Sequence, residues 1–245
     1  MIIDLHTHID EVPALGWSLT AGAVIGQMDA TGIERAVVMA IGDAGSCDDV
    51  VRVARAAAEH PDRLIPFVRV HPWSGEAGVA LLRDCVTRHG FRGLKLHPVT
   101  NISDPGGDAT VRLVEAAAGL GVPTLFHSGD DCLVTPWEIA ECARRCPGAQ
   151  VVLGHTGGYA HTADALDVAE MYPNVYLETS AMPYPVVIRD AVDRIGAQRV
   201  IFATDGPGCA PVLELEKIRL AGLSEQERPL VLGRNAARLL GLEAA

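Results

Sequence analysis

Ile2-Ile3-Asp4-Leu5-His6-Thr7-His8 opens the chain as a short apolar, β-branched run that ends in two histidines. A run of this length and composition reads as a buried strand, because it leaves no room for a helical period. Side chains alternate along a strand, so Asp4, His6 and His8 are expected on one face. Two imidazoles two residues apart on one face can reach a single metal ion, and a neighbouring carboxylate can orient one of them. A lone strand histidine is ordinarily a hydrogen-bonded core residue. A pair at this spacing, behind an aspartate and closing an apolar run, points to a metal instead.

Similar runs recur downstream at Ala36–Ile41, Leu64–Val70, Gly93–Leu96, Pro123–Phe126, Val151–Leu153, Val175–Leu177 and Val200–Ala203. With the first they number eight. Their spacing of roughly 24 to 33 residues suits one strand–helix unit each, as parallel strands require. Near-continuous Val/Ile/Leu strands are those of a parallel sheet buried on both faces. The helices between them carry start signals. Thr135-Pro136-Trp137-Glu138 offers an N-cap, a proline at the first helical position and a capping-box glutamate. Ser224–Glu227 fits the same pattern, and Ser46–Asp49 is a weaker version of it. Gly90, Gly121, Gly196 and Gly222 stand where helices should stop. No linker or low-complexity segment divides the chain, so residues 1–245 are expected to form one α/β domain, a (β/α)8 barrel.

Composition narrows the function. With 49% hydrophobic and 21% charged residues the chain can bury a sizeable core. The formal net charge of −11, with no basic cluster to override it, argues against nucleic acid or an anionic membrane surface as partner. No run approaches the ~18 apolar residues of a membrane span, and no basic segment precedes the first strand, so a cytoplasmic protein is expected. Six scattered cysteines (Cys47, Cys85, Cys132, Cys142, Cys146, Cys209) suit reduced thiols; Cys142 and Cys146 share a helix face as small core residues.

In a barrel, chemistry belongs at the C-terminal ends of the strands, and the polar residues fall there. The first strand ends in His6 and His8, and the third runs into His71. The fourth carries Lys95 and His97, the fifth ends at His127 and the sixth at His155. The seventh ends at Glu178 and the eighth at Asp205. This ordered set resembles the amidohydrolase superfamily of metal-dependent (β/α)8-barrel hydrolases, and within it the amidohydrolase-2 group. The resemblance runs from Asp4-Leu-His-Thr-His8 to the terminal Gly-Arg-Asn235-Ala-Ala-Arg238-Leu-Leu-Gly-Leu. A lone His-x-His is weak; the whole set in order is specific.

The resemblance implies that His6 and His8 bind the more buried metal, with Asp205 completing that site and His127 a further ligand. It implies that His155 binds a second metal or hydrogen-bonds the substrate carbonyl. Lys95, within Gly-Leu-Lys95-Leu-His-Pro, stands where two-metal members such as dihydroorotase-type enzymes carry a carboxylated bridging lysine. Other members of the group hold one metal, so one ion and two both stay open, as does a Lys95 that binds the substrate carboxylate.

Nitrogen and carboxylate ligands with an open position suit a divalent ion, zinc first, able to polarise a carbonyl and acidify water. Asp205 would then act as general base and acid, and His155 would stabilise an oxyanion. Asp4 is expected to orient a ligand or the strand and not to bind metal itself. Lys95, His97, Glu178 and Trp17 are candidates to touch substrate, with structural readings open for each. Asn235 and Arg238 read as structural. Specificity is expected in the loops Glu11–Trp17, Thr100–Gly107, Gly129–Val134 and Ala181–Pro185. The expected activity is hydrolysis of a small carbonyl substrate (amide, lactone or cyclic amide). The alternative is non-oxidative decarboxylation of a small carboxylic acid on the same metal site, and a non-catalytic barrel comes third because every ligand position is filled. Aromatic residues at 4% leave few rings to stack a ring substrate, which sets hydrolysis first. The implied partner is a small molecule, with a homo-oligomer left open.

Overall fold

Eleven short strands order the described residues: β1 (Ile3–His8), β2 (Asp10–Val12), β3 (Trp17–Leu19), β4 (Arg35–Met39), β5 (Leu64–Pro66), β6 (Val68–Arg69), β7 (Leu94–Leu96), β8 (Thr124–Phe126), β9 (Val151–Leu153), β10 (Val175–Glu178) and β11 (Val200–Ile201). The computed structural model describes residues 1–12, 17–42, 46–129 and 134–242. All strand pairs but one are parallel: β1–β4–β5 forms one run and β6 through β11 another. β5 and β6 are the two halves of the third barrel strand, interrupted at Phe67. The ring closes where Asp205 N donates to His6 O (2.7 Å) and His8 N donates to Gly206 O (2.8 Å). The chain is therefore a (β/α)8 barrel. β2 and β3 pair antiparallel as a small ribbon outside it, which the sequence did not announce.

Helices follow the strands as the crossovers demand: α1 (Ala21–Thr31), α2 (Cys47–Glu59), α3 (Gly75–His89), α4 (Pro98–Asn101), α5 (Asp108–Gly119), α6 (Pro136–Arg145), α7 (Thr162–Met171), α8 (Pro185–Ile195) and α9 (Pro211–Leu220). The capping box at Thr135 and Glu138 is present in both directions, and Ser46 caps α2 through Asp49 N. Ser224 and Glu227 exchange the same pair of bonds. Gly90, at φ 71°, ends α3 in the left-handed conformation that glycine adopts without strain. None of the described helices is long and apolar enough to cross a membrane.

Two apolar layers result. The larger lies between strands and helices and contains Val38, Leu94, Leu96, Phe126, Leu153 and Leu177 together with helix residues such as Leu82, Val114, Ile139 and Ile188. Cys142 and Cys146 are buried in it as free thiols. The smaller fills the barrel with Ile3, Leu5, Val37, Met39, Ile65, Phe67, Leu125, Val152 and Ile201, and the terminal helix adds Ala236, Ala237, Leu239 and Leu240. Gly93 makes the interior possible: a Cβ there would stand 2.2 Å from Phe67 Cζ. Asn235 joins the last helix to the wall by donating to Ala197 O and Val200 O.

β1 departs from regular alternation. Its register against β4 takes Asp4 to Ala36 and Thr7 to Val38, three residues against two. A bulge of this kind flips the phase of the side chains beyond it. Asp4 is therefore in phase with Thr7 and not with His6 and His8, contrary to strict alternation.

Candidate active site

The side chains at the C-terminal mouth converge on a cavity of about 190 Å³ lined by His6, His8, Leu19, Ile41, Arg69, Lys95, His97, Thr100, His127, Asp205 and Gly208. Asp205 reaches it from a backbone at φ 57°, a left-handed conformation uncommon outside glycine and here held by its N–H bond to His6 O. His155 and Thr156, also at positive φ (59° and 46°), end the sixth barrel strand in the same way.

The first cluster joins β1 to the loop after β11. His8 Nε2 lies 3.0 Å from Asp205 Oδ1, and His6 Nε2 lies 3.5 Å from the same oxygen. Ligand atoms about 2.0–2.2 Å from a tetrahedral ion stand roughly 3.3 Å apart, so these separations fit one divalent ion. The orientation of His6 agrees. Its Nδ1 is 3.1 Å from Glu178 Oε1, and an ionised carboxylate only accepts, so Nδ1 carries the proton and Nε2 presents its lone pair. Burial first, then the Lys95 cation, holds His6 well below its ordinary pKa and keeps that lone pair available.

Glu178 does not line the cavity. It is fully buried beneath it, where Oε1 accepts from His155 N (2.8 Å) and Ser180 Oγ (2.9 Å), and Oε2 from Ser180 N (2.7 Å). This replaces the substrate contact considered for it: the carboxylate orients histidines. Ser180, which the sequence did not single out, extends that control. Its proton goes to Glu178, so its oxygen accepts from His155 Nδ1 at 2.9 Å. His155 Nε2 then accepts from His127 Nδ1 at 3.0 Å, so His127 carries a proton on Nδ1. One carboxylate thus sets the tautomers of His6, His155 and His127. In this state His155 has both ring nitrogens engaged. Burial is the main reason that both stay neutral, His155 at a pKa of about 4 and His127 at about 3.

His97 stacks on His127 with ring centroids 3.9 Å apart and planes 10° apart, giving the cavity one flat wall. Lys95, on β7, brings Nζ to 2.9 Å from His6 Nε2; burial lowers its pKa to about 7. Arg69, at the end of β6, also went unnoticed in the sequence. Its buried guanidinium donates to the carbonyls of Ile41 and Gly42 and to Thr100 Oγ1, so it braces two loops at the cavity wall. Asp4 touches no imidazole: it accepts from His6 N (3.1 Å), Thr204 N (2.9 Å) and Thr204 Oγ1 (2.5 Å), tying the first barrel strand to the last. The side chain of Trp17 and residues 13–16 and 130–133, within the loops expected to set specificity, lie outside the described residues.

A family profile described as Amidohydrolase matches residues 3–242. The chain belongs to the amidohydrolase family. Among amidohydrolases and their relatives, it is 27% identical to a gamma-resorcylate decarboxylase of Rhodococcus jostii (strain RHA1), over 83% of this chain and 78% of that protein. A dihydroxybenzoic acid decarboxylase of Polaromonas sp. JS666, solved with manganese and 2-nitroresorcinol, superposes with a TM-score of 0.78 at 21% identity, over 100% of this chain and 98% of that one. The 5-carboxyvanillate decarboxylase of Sphingomonas paucimobilis gives a TM-score of 0.78 at 16% identity, over 98% of each chain.

Proposed function

We propose that this amidohydrolase is a metal-dependent, non-oxidative decarboxylase of a small carboxylic acid, with hydroxylated benzoates as the first class to try. The observation that carries the proposal is the pairing of two buried cationic side chains, Lys95 and Arg69, with the His6–His8–Asp205 cluster in one small cavity. Buried cations beside a metal-ligand set suit an anionic substrate, whereas a neutral amide gains nothing from them. The relatives named above act on aromatic acids, which supports the same class. The scarcity of aromatic residues carries less weight than it did for the sequence alone, because the stacked imidazoles of His97 and His127 offer a ring surface. Hydrolysis of a lactone or cyclic amide becomes the second reading.

His6, His8 and Asp205 would hold a divalent ion, manganese or zinc, which would supply Lewis-acid stabilisation of negative charge. The chain's own residues do the rest. Lys95 and Arg69 orient the acid, and the stacked His97–His127 pair forms one wall beside its plane. As the carbon–carboxylate bond breaks, the electron pair stays on the ring carbon, carbon dioxide leaves, and one proton must arrive at that carbon. We assign its delivery to Asp205, which must first take up a proton from solvent. Burial alone would raise its pKa, but the imidazoles of His6 and His8 hold it well below the carboxylate range. An anion entering beside it shifts it back toward the protonated form.

The test is turnover of the metal-loaded protein with 2,6-dihydroxybenzoate and 5-carboxyvanillate, followed by release of carbon dioxide, beside a panel of lactones and cyclic amides. Release of carbon dioxide from an acid is the expected result. Ring opening of a lactone with no decarboxylation would overturn it in favour of hydrolysis.

A further inference from the structure

Helix α9 lies outside the cavity, yet it carries a buried ion pair aimed at the active-site loop. Lys217 Nζ is 2.5 Å from Glu214 Oε2 and donates to Thr179 O (2.8 Å) and Met182 O (2.6 Å). Glu214 accepts from the backbone of Ala181. These bonds engage both sides of Ser180, in a turn where Ala181 sits at φ 54° and Met182 N donates to Ser180 O at 2.6 Å. Left-handed alanine is disfavoured and persists where the surroundings over-determine it. Glu214 and Lys217 are 5% and 9% exposed, so the pair is withdrawn from water on the side of the barrel.

We infer that Lys217 and Glu214 are positioning residues that hold the 179–182 turn so that Ser180 fixes the proton positions of His155 and His127. Ser180 Oγ is the only link in the described network between the Glu178 carboxylate and the His155 ring nitrogen at hydrogen-bond distance. Its oxygen must lie within bonding reach of both at once. A helix–loop contact needed only for packing would be met by apolar side chains; a lysine capping two carbonyls across one serine fixes a position as well. The inference concerns the histidines themselves and does not depend on which acid is consumed.

The test uses metal-free protein with ¹⁵N-labelled histidine, whose long-range ¹H–¹⁵N spectra report ring tautomers without any turnover. Wild type should show His155 and His127 as single Nδ1–H tautomers. Ser180→Ala and Lys217→Met should each convert them to mixtures, and kcat of the metal-loaded enzyme should fall about 10-fold or more with little change in KM, as for partners that orient active-site ligands. In the Ser180→Ala background, Lys217→Met should add little. If Lys217→Met does not fold, the double variant Glu214→Leu/Lys217→Met serves, since replacing a buried pair with apolar residues commonly preserves stability. Wild-type tautomers in the folded Lys217 variant, or in the double variant, would reduce the pair to packing and overturn the inference. A shifted spectrum with no decarboxylation would leave it standing and count only against the proposed reaction.

Discussion

His6 Nε2 and Lys95 Nζ lie 2.9 Å apart, and the nitrogen that faces the lysine is the one whose lone pair a metal would need. The Glu178 bond at Nδ1 leaves no other choice of tautomer. Lysine and metal therefore compete for one site. Burial lowers Lys95 to a pKa of about 7, so its amine is partly neutral near physiological pH. Either the neutral amine takes up carbon dioxide and bridges two ions, or the lysine turns to the substrate carboxylate beside one ion. We expect the latter. Metal titration with bicarbonate present should give one equivalent in wild type and one in Lys95→Ala, with tighter binding once the competing amine is gone. Two equivalents, the second lost in Lys95→Ala, would establish the bridge.

His6→Ala combined with His8→Ala should remove bound metal and activity together, because both lone pairs of the first strand are lost while the strand backbone is kept. Elemental analysis showing full occupancy in that variant would place the metal elsewhere.

The fold was legible in the sequence because parallel strands buried on both faces leave unbroken apolar runs, from Ala36–Ile41 to Val200–Ala203. The strand ends were legible too, since His6, His8, Lys95, His97, His127 and Asp205 all line the cavity. What could not be read depends on phase and depth. The bulge in β1 turns Asp4 away from the histidines, and no residue type in Asp-Leu-His-Thr-His signals it. Glu178 looks like a cavity residue because it ends a strand, but that end lies beneath the histidines. Ser180 and Arg69 carry no motif. Their importance arises only when Glu178, His155 and Thr100, distant in sequence for the most part, are brought within bonding distance.

Stability of the metal-free protein should fall steeply below about pH 6.5. His155 and His127 have folded pKa values of about 4 and 3 against 6.5 unfolded, so between these limits the unfolded chain takes up protons that the folded one refuses. His6 and His97 are shifted the same way by burial. Asp4 and Glu214, raised by burial to about 8 and 7, act in the opposite sense: their contribution is lost as pH rises through those values. Lys95, lowered to about 7, offsets them above pH 7. The balance is a loss of roughly 1–3 kcal/mol per pH unit below 6.5 and a shallow dependence above it. Urea unfolding at pH 5, 6.5 and 8 measures both limbs; a flat profile from 5 to 6.5 would show that the imidazoles are not held neutral.

Gly93→Ala should destabilise the barrel by about 3 kcal/mol, the upper part of the usual range for overpacking. The added Cβ meets the Phe67 ring at 2.2 to 2.5 Å, and the ring is hemmed in by the other side chains inside the barrel. Phe67→Leu alone leaves a cavity, but in the Gly93→Ala background it removes the clash. The two changes should therefore be strongly non-additive in thermal unfolding.

Asp205→Asn separates chemistry from scaffolding. Asp205 faces the cavity, whereas Glu178 is sealed below it with both oxygens hydrogen-bonded. An asparagine keeps the size and one oxygen for a metal ligand but carries no transferable proton. With metal retained, kcat should drop at least ~10²-fold, as is usual for a general acid–base group, and KM should change less. Glu178→Gln should act differently. Its amide can donate to His6 Nδ1, which would turn the His6 lone pair away from the metal, so the first loss should be metal affinity, by about 10-fold or more. Near-normal turnover in metal-loaded Asp205→Asn would remove Asp205 from proton delivery and leave that task to the His127–His155 pair.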